Sequence, residues 1–275
     1  MRILTGIVLY NSNIERLQEN IESIIQQTDK IVCVDNGSKN IEDIKNLIHT
    51  YQGIDLIENG INLGIAAALK IIMQYANEHK FKWVLSLDQD SVCNKDLIMI
   101  YKKYISYPDI GILTCNIKDR NFDSKAVCSK DEMYREINFC ITSASLMSVD
   151  AYNHTNGYDE KMFIDGVDFD ICIQIRKAGY KILRINYDGI LHEVGHGKSV
   201  TILGKKYEIY NHLPFRQYFM ARNRFYLVKK YSGEYKYGKE ILREFRDWYL
   251  IVKYEKNKYK KIRARISGLI DSLRM

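Results

Sequence analysis

The N-terminal part of the sequence alternates short apolar runs with segments of helical pattern. Apolar runs at residues 3–10, 31–34 and 54–57 and another from Trp83 are read as strands, separated by predicted helices at 14–27, 40–51 and up to 79. This alternation is typical of a parallel sheet covered by helices. Because ligands of such sheets bind at the carboxyl ends of the strands, the sequence predicts an α/β fold with a site at one edge.

Two carboxylates one residue apart end the apolar run that begins at Trp83. Asp88 and Asp90 flank Gln89 there, and Asp35 follows the run at 31–34 in the same way. Side chains at positions i and i+2 of an extended segment point the same way, so both carboxylates can face one ligand. Mg²⁺ or Mn²⁺ carrying a diphosphate would satisfy such a pair. A surface pair that arose by chance is the alternative.

Polar residues in three further segments are candidates for ligand contacts. Gly64, before a helix rich in small residues, indicates either amide groups directed at an anion or a loop that leads into a packed helix. Asp168 and Asp170 begin a predicted helix, where capping is the alternative. His192 and His196 are expected in a glycine-bearing loop, where they favour a metal or phosphate role.

Composition indicates a soluble globular protein. Of the 275 residues, 46% are hydrophobic and 27% are charged, and no run approaches the roughly 18–20 apolar residues of a membrane span. The N-terminus shows no long apolar leader, so we expect a cytoplasmic protein. The cysteines form no C-x-x-C pair and are expected to be reduced thiols: Cys33, Cys93, Cys115, Cys128, Cys140 and Cys172.

Positive charge is concentrated near the C-terminus. The net charge is +7, and residues 253–265 carry seven basic residues against the single acid Glu255. Apolar residues behind this run, such as Ile266 and Ile270, follow helical spacing. Such a helix can lie on an anionic membrane, or it can pack on the protein or on a second subunit. We expect no nucleic-acid partner, because no recognised nucleic-acid-binding pattern accompanies the charge.

Eight short motifs in order resemble those of family-2, GT-A-type inverting glycosyltransferases, and within them the bacterial rhamnosyltransferase-like branch. They are VLYN at 8–11, VDNGS at 34–38, NLGIAAA at 62–68, LDQDS at 87–91, TSAS at 142–145, FIDGVD at 163–168, LHEVG at 191–195 and RNR at 222–224. The resemblance implies a GT-A fold with a mostly parallel central sheet flanked by helices. Residues 1–206 would be the catalytic domain, with a nucleotide-sugar half at about 1–115 and an acceptor half at about 116–206, and residues 207–275 a basic helical extension.

The resemblance also implies roles for individual residues. Asp35 would read the nucleotide base, Asp88 would contact the ribose or diphosphate, and Asp90 and His192 would hold Mg²⁺ or Mn²⁺. Asp168 would be the general base that takes the proton of the acceptor hydroxyl. The remaining expected contacts with the nucleotide sugar are Tyr10, Asn62, Gly64 and Arg222.

Two departures from the family pattern qualify these roles. Gln174 stands where related sequences often carry an arginine, which puts a phosphate contact there in doubt. Val167 replaces the glutamate of the broader family's E-D pair, a change that the rhamnosyl branch tolerates. Asp165 is a competing candidate for the general base.

The expected activity is transfer of L-rhamnose from dTDP-L-rhamnose to a growing cell-surface polysaccharide or lipid-linked glycan. The alternatives are a UDP-hexose or galactofuranosyl transferase of the same fold and a non-catalytic subunit that binds nucleotide sugars. The expected location is cytoplasmic. The inner face of the cell membrane is compatible with it, through a peripheral contact of the C-terminal basic helix. An oligomer is compatible with the sequence.

Overall fold

The computed structural model describes residues 1–119, 132–192, 198–202 and 205–275. Its strands are β1 (Ile3–Leu9), β2 (Lys30–Asp35), β3 (Ile54–Glu58), β4 (Trp83–Asp88), β5 (Val92–Cys93), β6 (Ile110–Asp119), β7 (Tyr134–Glu136), β8 (Ser145–Ser148), β9 (Lys181–His192), β10 (Lys198–Ile202) and β11 (Lys205–Ile209). Its α-helices are α1 (Ile14–Ile24), α2 (Ile41–Ile48), α3 (Ile65–Glu78), α4 (Leu97–Lys102), α5 (Val149–Asn153), α6 (Val167–Lys177), α7 (Pro214–Lys230), α8 (Tyr237–Tyr254) and α9 (Lys258–Ser272). The chain divides into an N-terminal unit, Met1–Lys161 with Val167–Glu193, and a C-terminal unit, Met162–Gly166 with Val194–Met275.

The N-terminal unit is built on one nine-stranded sheet. Its order is β3-β2-β1-β4-β8-β6-β9-β5, and β7 pairs with β9. The first four strands in this order are parallel, whereas β8 runs antiparallel to both β4 and β6. The predicted α/β fold with a helix-covered central sheet is confirmed. Of the four parallel strand pairs among the described residues, three lie among β1, β2, β3 and β4, and the fourth is that of β6 with β9.

The central strands are buried because helices cover the sheet on both faces. In β1 all residues except Val8 are buried, and β4 is buried from Trp83 to Leu87. Such continuous apolar runs are expected of parallel strands that contact helices on both sides. Polar side chains therefore collect where these strands end.

Strand β9 occupies part of a segment that the sequence assigned to a loop. It continues to His192, which was expected in a glycine-bearing loop, because it pairs with β6 as far as Asp119 and with β5 through Ile190 and Leu191. Predictions that concern Cys128 and His196 lie outside the described residues.

A buried asparagine of α1 holds the turn that follows β4. Asn20 lies on the apolar face of the helix with Leu17, Ile21 and Ile24. Its side-chain amide donates to the carbonyl oxygens of Asp88 and Ser91, both at 2.7 Å. Buried backbone carbonyls need such partners, so α1 fixes the chain on both sides of the Asp88–Asp90 turn.

The C-terminal unit is held together by buried ion pairs between its helices. The guanidinium of Arg265 on α9 is fully buried and donates to both carboxylate oxygens of Glu244 on α8 at 2.6 Å. Arg224 on α7 donates to Glu244 and Asp247, also at 2.6 Å. A Cβ at Gly268 would lie 2.3 Å from the Tyr218 carbonyl oxygen, so only glycine permits this approach of α9 to α7.

Within the described part of the chain, we find no helix with the length and apolar character needed to cross a membrane.

One asparagine of α7 holds the segment Met162–Gly166, which contains the first four residues of the FIDGVD motif. The side-chain nitrogen of Asn223 lies 2.8 Å from the carbonyl oxygens of Met162 and Ile164 and 2.6 Å from that of Asp165. Phe163 and Asp165 adopt positive φ angles, which are costly for residues other than glycine. The three contacts stabilise this strained backbone.

We expect the Asn20→Leu variant to unfold at a lower temperature than the native chain. Two buried carbonyls lose their side-chain donor, at a cost of about 2–4 kcal/mol. Differential scanning calorimetry should show the midpoint fall by roughly 5–10 °C. Gln18→Leu on the exposed side of α1 is the control and should change the midpoint little. An unchanged midpoint in Asn20→Leu would contradict the assigned role.

The Asn223→Asp variant should be destabilised by about 2–4 kcal/mol, because a carboxylate would face three carbonyl oxygens. Chemical denaturation measures this loss. Asn211→Asp is the matched control, since the Asn211 side-chain oxygen accepts from Lys256 N at 3.1 Å and Lys261 Nζ at 2.7 Å and an aspartate keeps both bonds. Equal stability of the two variants would show that Asn223 does not hold the segment.

Candidate active site

Three neighbouring strands bring their carboxyl ends to one edge of the sheet. In the register of the sheet, Leu9 of β1 is level with Asp35 of β2, and Val8 is level with Asp88 of β4. Tyr10, which follows β1, is exposed between them. The predicted nucleotide-contacting residues Tyr10, Asp35 and Asp88 are therefore brought together at this edge.

Asp35 is buried and shapes the turn that follows β2. Its carboxylate accepts from the backbone N–H groups of Gly37 and Ser38 at 2.8 and 2.9 Å, and also from the Ser38 hydroxyl. A carboxylate has about four acceptor positions, so these bonds use most of its capacity. Ser38 in turn accepts from Asn11 N at 2.8 Å, which joins this turn to the end of β1.

Gln89 connects the turn after β4 to the chain after β1. Its side-chain oxygen accepts from the backbone N–H of Tyr10 at 2.9 Å and from the Ser12 hydroxyl at 2.8 Å. The carboxylate-bearing residues on either side, Asp88 and Asp90, are half-buried. Sequence reasoning missed this role, because the pairing of β4 with β1, which places Gln89 near the end of β1, is seen only in the structure.

The TSAS motif supports the same turn from the other side. The hydroxyl of buried Ser143 accepts from the backbone N–H of Asp88 at 3.2 Å and lies 2.7 Å from the Ser91 hydroxyl. With the bonds from Asn20, these contacts fix the main chain on both sides of Asp90. A fixed turn holds its two carboxylates in a constant geometry, which a ligand site requires.

Gly64 directs the loop into α3. It has φ 86° and ψ 164°, a conformation that favours glycine, and α3 begins at the next residue. Its N–H donates to the exposed Asn62 side chain at 2.9 Å, and its carbonyl accepts from Asn36 at 3.1 Å. This geometry matches the loop that leads into a packed helix. The anion contact predicted for Asn62 and Gly64 stays a prediction.

Asp168 is the second residue of α6 and is half-buried. The positive end of a helix dipole favours a negatively charged carboxylate at such a position. Asp170 lies two residues further along the same helix. It is buried, and its carboxylate accepts a hydrogen bond from the Gln174 side chain at 2.6 Å. Gln174 also donates to the Gly157 carbonyl at 3.1 Å and accepts from Asn156 N at 2.9 Å, so its side chain holds a loop.

The competing base candidate Asp165 belongs to the C-terminal unit, where it forms an ion pair with Arg216. Three N···O distances of 3.0–3.1 Å join the two side chains. Burial raises the pKa of the Asp165 carboxyl, and the Arg216 guanidinium opposes part of that shift. A carboxylate whose oxygens already accept hydrogen bonds from two nitrogen atoms of an arginine is poorly placed to take a proton from an acceptor hydroxyl.

Arg222 also lies in the C-terminal unit, and its guanidinium contacts groups of that unit. It donates to the Met162 carbonyl at 3.1 Å and to the Asn223 side chain at 2.9 Å, and it lies 4.5 Å from the centre of the Phe219 ring. The predicted contact with the nucleotide diphosphate therefore has a structural alternative, in which Arg222 stabilises the Met162–Gly166 segment.

The carboxylates of Asp88 and Asp90 fit a divalent cation in chemical type, since Mg²⁺ and Mn²⁺ prefer hard oxygen ligands. Among the residues that the structure describes, no group of three or more His, Cys, Asp or Glu side chains is arranged to hold a metal ion. His192, the predicted second ligand, ends β9, and its side chain lies outside the described residues.

Comparisons with known proteins agree with this architecture. Residues 5–157 match the sequence model of glycosyl transferase family 2. The chain is 26% identical to the dTDP-rhamnosyl transferase RfbF of Shigella flexneri, over 99% of this chain and 95% of that protein. It is 23% identical to the rhamnosyltransferase WbbL of Escherichia coli K12, over 77% and 89% of the two chains.

Solved structures show the same fold at low sequence identity. TarS of S. aureus superposes with a TM-score of 0.62 at 14% identity, over all of this chain and 49% of that one. Its segment 1–349 in complex with UDP-GlcNAc gives the same score at 15% identity, over 81% of that chain. GalNAc-T7 with UDP, GalNAc and Mn²⁺ has a TM-score of 0.59 at 16% identity, over 90% of this chain and 54% of that one. The matched family model covers more than half of the chain, and the GT-A fold agrees with it, so the chain belongs to glycosyl transferase family 2 and is similar over almost its whole length to a rhamnosyltransferase.

Proposed function

We propose that this glycosyltransferase moves L-rhamnose from dTDP-L-rhamnose to a growing cell-surface polysaccharide or lipid-linked glycan at the cytoplasmic side of the cell. The observation that carries the proposal is the joint position of Asp35 and Asp88 on either side of β1, at the edge where parallel sheets bind nucleotides. The choice of donor follows the similarity to a protein named dTDP-rhamnosyl transferase, which extends over almost the whole chain.

Asp168 is proposed as the general base. Its carboxylate accepts the proton of the acceptor hydroxyl while that oxygen forms a bond to the anomeric carbon of the donor. The bond from the anomeric carbon to the diphosphate breaks on the opposite face, so the sugar inverts. The position of Asp168 at the start of α6 supports this role, and the ion pair of Asp165 with Arg216 makes the competing base less suitable.

Asp90 and His192 would hold a divalent cation, and Asp88 would contact the nucleotide. The cation would neutralise charge that develops on the departing nucleoside diphosphate. The protein's own contribution is to keep the turn after β4 fixed through Asn20 and Gln89, so that Asp88 and Asp90 need no rearrangement when the donor binds.

Asp168→Asn should lower the rate of dTDP release from dTDP-L-rhamnose by about 10²–10⁴, because an amide cannot take the proton. Its melting midpoint should change little, since Asp168 is only half-buried. Asp165→Asn is the matched variant and should show the opposite pattern: a lower midpoint, from loss of the Arg216 ion pair, and a smaller loss of rate. Rates are measured with Mg²⁺ or Mn²⁺ present.

The comparison separates the two candidate bases. Full activity in Asp168→Asn would remove it as the base, and a complete loss of turnover in well-folded Asp165→Asn would transfer the role to Asp165. Tight donor binding without dTDP release in the native chain would favour the non-catalytic alternative.

A thermal-shift series should identify the nucleotide. A ligand that binds only the native state increases the free energy of unfolding, by about 2.7 kcal/mol at a ligand concentration of one hundred times Kd. The melting midpoint rises as a consequence. We expect dTDP compounds to give a larger shift than UDP compounds, and Mg²⁺ or Mn²⁺ to increase it. Asp90→Asn should abolish the metal-dependent part, whereas Asp43→Asn, on the exposed side of α2, should retain it.

Larger shifts with UDP compounds would instead support the UDP-hexose or galactofuranosyl alternative. A metal-dependent shift that survives in Asp90→Asn would remove this residue as the metal ligand.

A further inference from the structure

Helix α8 presents a strip of large apolar side chains to solvent. Leu242, Phe245, Tyr249 and Val252 are between 48% and 70% exposed. Their spacing of three, four and three residues lines one face of a helix. Single exposed apolar residues are ordinary, but a continuous strip of this kind marks an interaction surface.

Helix α9 carries a similar exposed strip within the same unit. Tyr259, Ile266, Ile270 and Leu273 are between 41% and 78% exposed. A mostly apolar groove of about 760 Å³ lies among α7, α8 and α9, and its lining includes Phe245, Ile270 and Leu273. The groove therefore joins the two strips into one surface, which we call the α8–α9 surface.

The charges of α8 are segregated between its two sides. The three acids of this helix, Glu240, Glu244 and Asp247, face the interior, where Glu244 and Asp247 neutralise Arg224 and Arg265. The exposed charged residues beside the apolar strip are all basic: Lys239, Arg243, Arg246 and Lys253. Arg243 and Arg246 pair with Glu240 and Asp247 but keep about half of their side-chain surface in water.

Helix α9 has the same arrangement. Its exposed basic residues are Lys258, Lys260 and Arg263. Its acid, Asp271, accepts a hydrogen bond from the Tyr218 hydroxyl and lies 3.7 Å from the exposed Arg274, which follows the helix. The basic run that the sequence suggested is only partly available, because Lys261 and Arg265 are buried in ion pairs. The α8–α9 surface is thus defined by both helices and not by the basic run alone.

We propose that the α8–α9 surface docks on an anionic lipid bilayer. Its apolar strips would enter the boundary between headgroups and acyl chains, while the adjacent lysines and arginines contact lipid phosphates. A second copy of the chain is a poorer match, because a two-fold contact through this face would bring like charges together. This inference is independent of the donor, the acceptor and the catalytic roles.

Vesicle flotation of the full chain tests the proposal. The probes are vesicles of phosphatidylcholine alone and vesicles of equal parts phosphatidylcholine and phosphatidylglycerol, each at low and high salt. We expect binding to the anionic vesicles that weakens at high salt, where charges are screened. Leu242→Glu and Val252→Glu, which lie outside the groove lining, should each lower the partition coefficient about tenfold.

Charge variants and a matched control complete the experiment. Lys239→Ala and Lys253→Ala should each reduce binding to anionic vesicles about fivefold. Met99→Glu, at an exposed apolar residue of α4, should bind as the native chain does. All variants should keep the native melting midpoint and nucleotide-induced thermal shift.

Three outcomes would overturn the proposal. They are equal binding to both kinds of vesicle without salt dependence, a loss of binding in Met99→Glu as large as in Leu242→Glu, and no vesicle binding by a chain that sediments as a dimer. If Leu242→Glu dissociated such a dimer, the surface would belong to an interface between copies.

Discussion

The parallel pairing of β1 with β2 on one side and β4 on the other is the constraint on which the site depends. It makes the three strands end at one level, so Asp35 and Asp88 lie beside the same backbone. Residues on both faces of β1 and β4 are buried, so polar groups lie mainly where these strands end. Side chains from distant parts of the chain then fix the turns that these ends begin.

The turn after β4 is fixed by neutral hydrogen-bonding side chains, and the carboxylates of Asp88 and Asp90 in it remain half-buried. Around the turn after β4, the Asn20 side chain donates to the Asp88 carbonyl oxygen and the Ser143 hydroxyl accepts from the Asp88 N–H. The Gln89 side-chain oxygen accepts from the Tyr10 N–H. Both partners of each of these bonds belong to the protein, so the bonds persist whether or not a ligand is present. The arrangement separates residues that hold the site from residues available for chemistry.

Sequence patterns predicted the ends of the strands but not the bonds between them. Asp35 and Asp88 were expected at one edge because each directly follows an apolar run. The partners of Asn20, Gln89 and Asn223 lie between 58 and 79 residues away, so no local pattern identifies them. A signal did exist for Asn20, since a polar residue on the apolar face of a helix needs a buried partner. The burial of Lys261 and Arg265 depended on acids of other segments and was equally hidden.

The bond network of Gln89 has an evolutionary consequence. One side-chain oxygen accepts from Tyr10 N and from the Ser12 hydroxyl, so replacement of Gln89 alone leaves two donors without their acceptor. Loss of the Ser12 hydroxyl alone would remove one of the three bonds that orient the Gln89 amide. Among proteins that descend from this chain, positions 12 and 89 should therefore change together, because each side chain is a hydrogen-bond partner of the other.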